Sequence, residues 1–384
     1  MRLRKALERS VRAGHPWLYR DALDAFDVQP GTVVRVTGKS GAFLGRGLAD
    51  DGPIAVRVLT TVDEAIDGSL FARRIAAAFA LRARVVPADT DAYRLLHGEG
   101  DRLPGVVCDR YGAYAVLKLD GEAACAWQPQ LTEWLRAPLA ELGVESLLVR
   151  AGRKRSQAVT LAWGTAPPAE LVVSERGMRL STSLWHGQKT GLFLDHRESR
   201  RRVREIATGL RVLNLYGYTG GFSVAAGLGG ASHVTTVDSA APALEHAESS
   251  WSHNDLPQDG HSTRAADVPA SLRELAAQAQ RYELVIADPP NFAPSESARA
   301  AALESYAALH AAVFAVLASG GYYLAASCSS HVSQQEFHGS LREGERRARR
   351  SAQVLERWSA PADHPRLIAF PEGDYLKVAL MRVQ

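Results

Sequence analysis

The sequence predicts an α/β protein: a parallel sheet with helices on both faces, preceded by a small β-rich unit and a separate α+β unit. Three observations predict it. From about Leu171 onward, buried strand-like runs alternate with helical ones: LRVLNLYGYTGGFSVAAGLGG, HVTTVDSAAPALEHAESSWSHN, YELVIADPPNF and GGYYLAASCSS. Such alternation builds a parallel sheet covered on both sides. The first sixty residues hold short alternating strands separated by Gly, Asp and Pro. Between these two regions lies a stretch that mixes helices with Gly-turned strands. The expected division is 1–64, 68–168 and 171–384.

Composition restricts the function classes. Net charge is only +3, so any strong basic field must be local. Residues 1–60 carry ten Lys/Arg and six Asp/Glu, a surplus of four that leaves the remainder near neutrality. A basic β unit at one end suits a polyanion, and it suits a solvated face as well. The three cysteines, Cys108, Cys125 and Cys328, form no disulfide framework and point to a reducing compartment. MRLRKALERSVRAGHPW is charged with no apolar run behind it, unlike a secretory signal. No stretch approaches the ~20 apolar residues of a membrane span. A cytoplasmic protein without a membrane partner is expected.

In chain order, VVRVT (33–37), GAFLGRGLA (41–49) and IAVRVLT (54–60) read as strands. SLFARRIAAAFALRARVV (69–86) carries an Ala/Leu/Ile stripe with arginines off it, which predicts a helix. VVCDRY and YAVLKL follow as strands within 93–120, then a helix over 129–141 and a strand over 146–150. The segment 151–169 is polar, ends in APPAE and reads as a linker.

VLNLYGYTGGFSVAAGLG starts as a strand, turns through Gly217, Gly220 and Gly221, and enters an Ala-rich helix. In an open α/β sheet a ligand meets the first helix N-terminus there. The next strand, HVTTVD, ends in Asp238, about 20 residues on, where an acid can accept from both hydroxyls of a ribose. The spacing is not GxGxxG, which disfavours a dinucleotide and hence a nicotinamide dehydrogenase. A nucleoside without phosphates, such as S-adenosylmethionine, fits. Asp267 admits two readings: a carboxylate holding an adenine amino group, or a helix N-cap before VPASL.

YELVIA runs into Asp288-Pro289-Pro290-Asn291-Phe292. Two prolines fix an extended loop and remove two amide donors. The carbonyls and Asp288 can accept from the amino group of a flat base, and Phe292 can lie against its face. The strand YYLAAS delivers Cys328, between serines, to the same sheet edge, where a thiolate can be nucleophilic. A thiolate beside a methyl donor and an amino-bearing base suits methylation at carbon 5 of a pyrimidine. Attack on carbon 6 activates carbon 5, and Asp288 steadies the developing charge. Cys108 and Cys125 read as structural.

These residues resemble the class I S-adenosylmethionine-dependent 23S ribosomal RNA methyltransferases that make 5-methylcytidine and carry an N-terminal PUA domain. RAGHPWLY (12–19), YRLLHGEGDRLPGVVCDRYG (93–112), GQKTGLFLDHRESR (187–200), NLYGYTGGFSVAA, DPPNF, SCSS, DHP (363–365) and PEGDYLK (371–377) follow in that family's order over most of the chain. The resemblance implies a PUA domain, a central α+β domain and a Rossmann-like methyltransferase domain, with Cys328 as nucleophile. It implies that Lys189, Thr190 and Arg197 help frame the cofactor pocket; Tyr216, Tyr218, Gly220, Asp238, Asp267 and Asp288 are expected to bind the cofactor with them. Pro289, Pro290 and Phe292 would meet the substrate. It implies ribosomal RNA as partner, no metal, and, since members are often dimers, it allows a homodimer. On its own terms the Arg-rich stretch RESRRRVRE reads as a solvated face or a phosphate contact. Two departures stand out: His196 replaces a Gln, and Asn291 follows the prolines where Lys or Ala is frequent. DPPNF also approaches the loop of amino-group methyltransferases, which need no cysteine. An N-methyltransferase acting on adenine or guanine is therefore the first alternative, and a non-catalytic RNA-binding protein the second.

Overall fold

The computed structural model describes residues 1–151 and 158–384. The chain divides into two units. One comprises Met1–Leu171, Ser183–Leu194 and Ala362–Gly373. In it, period-two patterning gives a four-stranded antiparallel sheet in the order Trp17–Tyr19, Ile54–Thr60, Phe43–Ala49, Val33–Thr37. Val34 and Val36 alternate with exposed neighbours and enter a core with Leu44, Val56 and Val58. The helix Gly68–Val85 begins where the Asp67 carboxylate accepts from the Ser69 and Leu70 amides.

A second sheet of this unit runs Ala92–His97, Val106–Tyr111, Tyr114–Leu119, Ser146–Ala151, Val159–Trp163. The expected helix over 129–141 is two short helices, Gln128–Trp134 and Arg136–Glu141. The linker reading of 151–169 needs correction, because Val159–Trp163 is a strand paired antiparallel to Ser146–Ala151. Thr160, Leu161 and Ala162 are all exposed on this edge strand, so no apolar alternation marked it. Residues 152–157 of that segment lie outside the described residues. Arg57, 1% exposed, ties the parts of this unit together. Its guanidinium donates to Asp50 (2.6 Å), Glu99 (3.1 Å) and Asp120 (3.0 Å).

The other unit comprises Val172–Thr182, Asp195–Pro361 and Asp374–Gln384. A hairpin, Leu171–Glu175 with Met178–Thr182, turns on Arg176 (φ 47°) and Gly177 (φ 73°), two left-handed residues as a tight two-residue turn requires. Its main sheet has seven strands: β1 (Arg211–Leu215), β2 (His233–Asp238), β3 (His261–Ala265), β4 (Tyr282–Ala287), β5 (Leu317–Ser327), β6 (Ala352–Trp358) and β7 (Lys377–Val383). Their spatial order is β3-β2-β1-β4-β5-β7-β6. The expected parallel sheet holds from β3 through β5, but β7 lies antiparallel to both β5 and β6. The connection before β7 carries no α-helix, and a reversed strand needs no helical crossover.

The helices are α1 (Arg197–Ile206), α2 (Gly221–Leu228), α3 (Ala241–His253), α4 (Val268–Ala277), α5 (Arg299–Val316) and α6 (Gln334–Ala348). Leu213, Leu215, Val285, Ala287, Tyr323 and Ala325 are among the sheet residues of a core that α4, α5 and α6 close with Leu272, Phe314 and Phe337. Ser333 and Glu336 make a reciprocal capping box at the start of α6. The order reverses between β1 and β4, so ligand chemistry is expected at the carboxyl ends of these strands. Among the described residues no helix is long and apolar enough to cross a membrane.

Candidate active site

The turn after β1 is built from left-handed backbone. Tyr216 (φ 56°), Tyr218 (φ 47°) and Gly220 (φ 74°) all occupy that region. For a tyrosine this costs on the order of 1–3 kcal/mol and persists only where surroundings enforce it. Asp238, at the end of β2, supplies the enforcement. Its Oδ2 accepts from the Tyr218 amide (2.9 Å) and its Oδ1 from the Ala240 amide (2.8 Å). A carboxylate has further lone pairs beyond these two bonds. Gly217 has no room for a side chain, because a Cβ would run into the Thr236 methyl.

Beneath the turn, Asn214 Nδ2 donates to Ser223 Oγ (2.9 Å), which meets Thr236 Oγ1 (2.6 Å). Asn214 Oδ1 is buried without a hydrogen-bond partner among the described residues. Burial, then the nearby Asp267 carboxylate, pushes the Tyr216 hydroxyl up to about 12. Asp267 N-caps α4, its Oδ1 accepting from the Ala270 amide at 2.9 Å.

Asp288 follows β4 and is met by His196. His196 Nε2 stands 3.1 Å from Asp288 Oδ2, with side-chain exposures of 3% and 19%. His196 Nδ1 lies 3.1 Å from Ser199 Oγ, and Trp358 Nε1 donates to that same oxygen at 2.8 Å. An indole can only donate, so the serine hydroxyl proton is available to His196 Nδ1. In the neutral imidazole this leaves the proton on Nε2, directed at the Asp288 carboxylate.

The loops after β4 and β5 are tied together. Ser329 Oγ donates to Asn291 Oδ1 (2.7 Å), which also accepts from the Ala293 amide (3.0 Å). Tyr306 of α5 shares hydrogen bonds with Ser327 Oγ (2.9 Å) and Ser329 Oγ (3.0 Å). The Phe292 ring leans on Tyr306, centroids 4.9 Å apart. Pro289 is buried, Pro290 exposed and Cys328 half-buried. Lys377, 2% exposed at the start of β7, donates to the carbonyls of Ser329 (2.5 Å) and Tyr375 (2.9 Å).

Arg197 is buried at the start of α1 in this unit. Lys189 and Thr190 belong to the other unit. There Thr190 Oγ1 donates to Asp109 (2.6 Å) and meets the Tyr111 hydroxyl (2.9 Å), while Lys189 Nζ sits over the Phe193 ring at 4.4 Å. Cys108 is wholly buried, which pushes its thiol up. Sequence reasoning assigned no role to Lys377 or Asn214, and it did not pair His196 with Asp288. The departure at position 196 was the available signal for that pair.

A nucleoside cofactor fits this edge. Asp238 stands at a strand end with lone pairs to spare, the turn lacks a pyrophosphate spacing, and Asn214 Oδ1 is an orphaned acceptor beneath it. Comparison with known proteins agrees. The family model described as S-adenosylmethionine-dependent methyltransferase matches residues 123–381, and a PUA-like domain model matches residues 1–61. A Deinococcus radiodurans protein named ribosomal RNA large subunit methyltransferase is 36% identical, with 100% of this chain and 97% of that protein covered. An Erwinia tasmaniensis protein named ribosomal RNA large subunit methyltransferase I is 34% identical over 99% of this chain and 98% of its own. In fold, the chain matches an S-adenosylmethionine-dependent methyltransferase from Streptococcus mutans with a TM-score of 0.89, 22% identity and coverage of 100% and 99%. A methyltransferase solved with S-adenosylhomocysteine matches at 0.90, with 21% identity and the same coverage. The chain therefore belongs to the S-adenosylmethionine-dependent methyltransferase family, and it carries a PUA-like domain at its N-terminus.

Proposed function

We propose that this enzyme methylates carbon 5 of a cytosine in large-subunit ribosomal RNA, with Cys328 as nucleophile. The observation that carries this reading is the Ser329–Asn291 hydrogen bond of 2.7 Å, which ties the loop bearing Cys328 to the loop bearing Asp288. Cys328 adds through sulfur to carbon 6, and the ring's electron pair moves to carbon 5. When bound, S-adenosylmethionine supplies the sulfonium methyl that carbon 5 takes. Loss of the carbon-5 proton to a base then expels the thiolate and restores the ring. Asp288, oriented by His196, accepts from the cytosine amino group and steadies the charge that develops there. Asp238 would hold the ribose of the cofactor. The strained turn of Tyr216, Tyr218 and Gly220 would cradle it, with Arg197 and Asp267 of the same unit; Lys189 and Thr190, to which the family resemblance also points, belong to the other unit. Pro289, Pro290 and Phe292 would shape the slot for the base, which must leave its stack to enter.

The names of the full-length relatives support the ribosomal RNA substrate. In this reading residues 1–64 contact RNA by backbone and shape, 68–168 form the central domain and 171–384 carry the chemistry. Cys108, Cys125 and Cys328 build no disulfide framework, which accords with work in the cytoplasm.

The test is methyl transfer to total RNA from cells lacking this protein, followed by nucleoside analysis. Wild type is expected to yield 5-methylcytidine and Cys328→Ala none. Methylation of an amino nitrogen by both proteins would overturn the reading and place the chemistry on DPPNF alone.

A further inference from the structure

The residue that carries a further inference is Lys377. Antiparallel pairing of β5 with β7 sets Lys377 directly opposite Ser327, the residue before Cys328. From there its side chain runs under the SCSS loop, where Nζ is held by two carbonyls, of Ser329 on one side and Tyr375 on the other. It is 2% exposed, and its ammonium donates to these two neutral carbonyls. A buried ammonium held by neutral carbonyls keeps its charge at high desolvation cost. Burial accordingly pulls it down to about 8, while charge on Cys328 acts against that pull, ahead of Asp374 and Glu336.

Charge on Cys328 acts on Lys377 of β7 and on Tyr306 of α5; Asp288, after β4, acts on the same Tyr306. Tyr306 is neutral, its hydroxyl raised by burial and shared with two serines. Asp288 is a carboxylate and opposes a second negative charge. Lys377 supplies the positive charge.

We propose that Lys377 is a positioning residue for the nucleophile: its ammonium, clamped by the Ser329 and Tyr375 carbonyls, stabilises the Cys328 thiolate and sets the fraction of enzyme ready to react. The inference rests on the reading of Cys328 as nucleophile. On ionisation the S–H bond breaks, its electron pair stays on sulfur and the proton passes to solvent. Lys377 keeps its own proton throughout. A thiolate in turn strengthens the hold of Lys377 on that proton, so the two charges support each other.

The experiment follows alkylation of Cys328 by iodoacetamide against pH in the full-length protein. Peptide mass mapping separates it from Cys108 and Cys125. The wild-type midpoint is expected at least about one pH unit below the ~8.5 of a free thiol. Lys377→Met is expected to raise the midpoint by about one unit or more, which lowers thiolate at pH 7 roughly tenfold. Lys377→Arg retains the charge and should stay closer to wild type. Lys377→Gln repeats the measurement should the Met variant not fold. A merely structural lysine would leave the midpoint unmoved in every folded variant, and that result overturns the proposal. A wild-type midpoint at or above ~8.5 overturns it without any variant. Methylation by Cys328→Ala would remove the nucleophile reading instead, and it leaves a lowered alkylation midpoint intact, so the two failures are distinguishable.

Discussion

His196 Nε2 faces Asp288 Oδ2 at 3.1 Å, and the far side of the imidazole is fixed by Ser199, itself fixed by Trp358. A short relay thus reaches from the indole to the carboxylate that the proposed chemistry needs. Hydrogen bonds to charged groups contribute about 1.5–3 kcal/mol. His196→Ala is therefore expected to lower kcat/KM for methyl transfer by roughly 10- to 100-fold. His196→Gln retains an N–H donor of similar reach and should stay within about threefold of wild type. Steady-state methyl transfer with both variants checks this. Equal losses would mean that the imidazole does more than donate.

Asp238 predicts the cofactor affinity. Both of its oxygens accept from backbone amides, of Tyr218 and Ala240. Asp238→Ala frees the left-handed turn and removes the ribose acceptor, so S-adenosylhomocysteine should bind at least about tenfold more weakly by calorimetry. Asp238→Asn should recover little, since its amide must turn an NH2 toward one of two N–H donors. Full affinity in either variant would remove Asp238 from the pocket.

Much of the fold was legible because the central strands of the methyltransferase unit's sheet are buried on both faces. Continuous apolar runs such as YELVIA and YYLAAS mark such strands directly, and they end close to where the structure ends them. The strand Val159–Trp163 was illegible for the opposite reason: an edge strand needs no apolar face, and polar sequence reads as linker. The reversal of β7 was also hidden, since the apolar pattern of a buried strand carries no direction. Of the proposed site, the placement of Asp238 and Asp288 at strand ends was legible. Lys377 was not, because its partners are backbone carbonyls brought close by cross-strand register, which leave no mark in side-chain pattern. Asn291 read as a departure bearing on the methylated atom; the sequence did not show that its carboxamide oxygen accepts from Ser329 and Ala293.

His310 predicts an acid-side loss of stability. It is 1% exposed, its Nδ1 meets the Tyr323 hydroxyl at 2.7 Å, and burial holds the imidazole down to about 3. An unfolded histidine takes its proton near 6.5. Between these values the unfolded chain binds more protons, so stability is fully present above about pH 6.5 and is lost as pH falls toward 3. The slope from this residue is at most about 1.4 kcal/mol per pH unit. Denaturant unfolding at pH 7 and pH 5 should show a smaller difference for His310→Gln than for wild type. The same difference in both would assign the acid sensitivity to other groups.

Asn291 distinguishes a loop tether from a base-recognising amide. Its Oδ1 accepts from Ser329 Oγ at 2.7 Å and from the Ala293 amide at 3.0 Å, so the oxygen joins the Asp288 loop to the Cys328 loop. Asn291→Asp preserves both acceptor positions, and Asn291→Ala removes both. Two neutral hydrogen bonds together contribute about 1–3 kcal/mol. If that energy serves to hold the two loops in register, Asn291→Ala lowers kcat roughly tenfold. Affinity for S-adenosylhomocysteine would stay unchanged, because neither partner of Asn291 Oδ1, Ser329 or Ala293, belongs to the proposed cofactor pocket. Asn291→Asp then retains most of the activity. An amide that recognised a base through its NH2 group would behave in the opposite way: Asp would be as damaging as Ala, since both lack the donor. Comparing kcat for the two variants therefore decides whether DPPNF acts here as scaffold for Cys328 or as the chemistry itself.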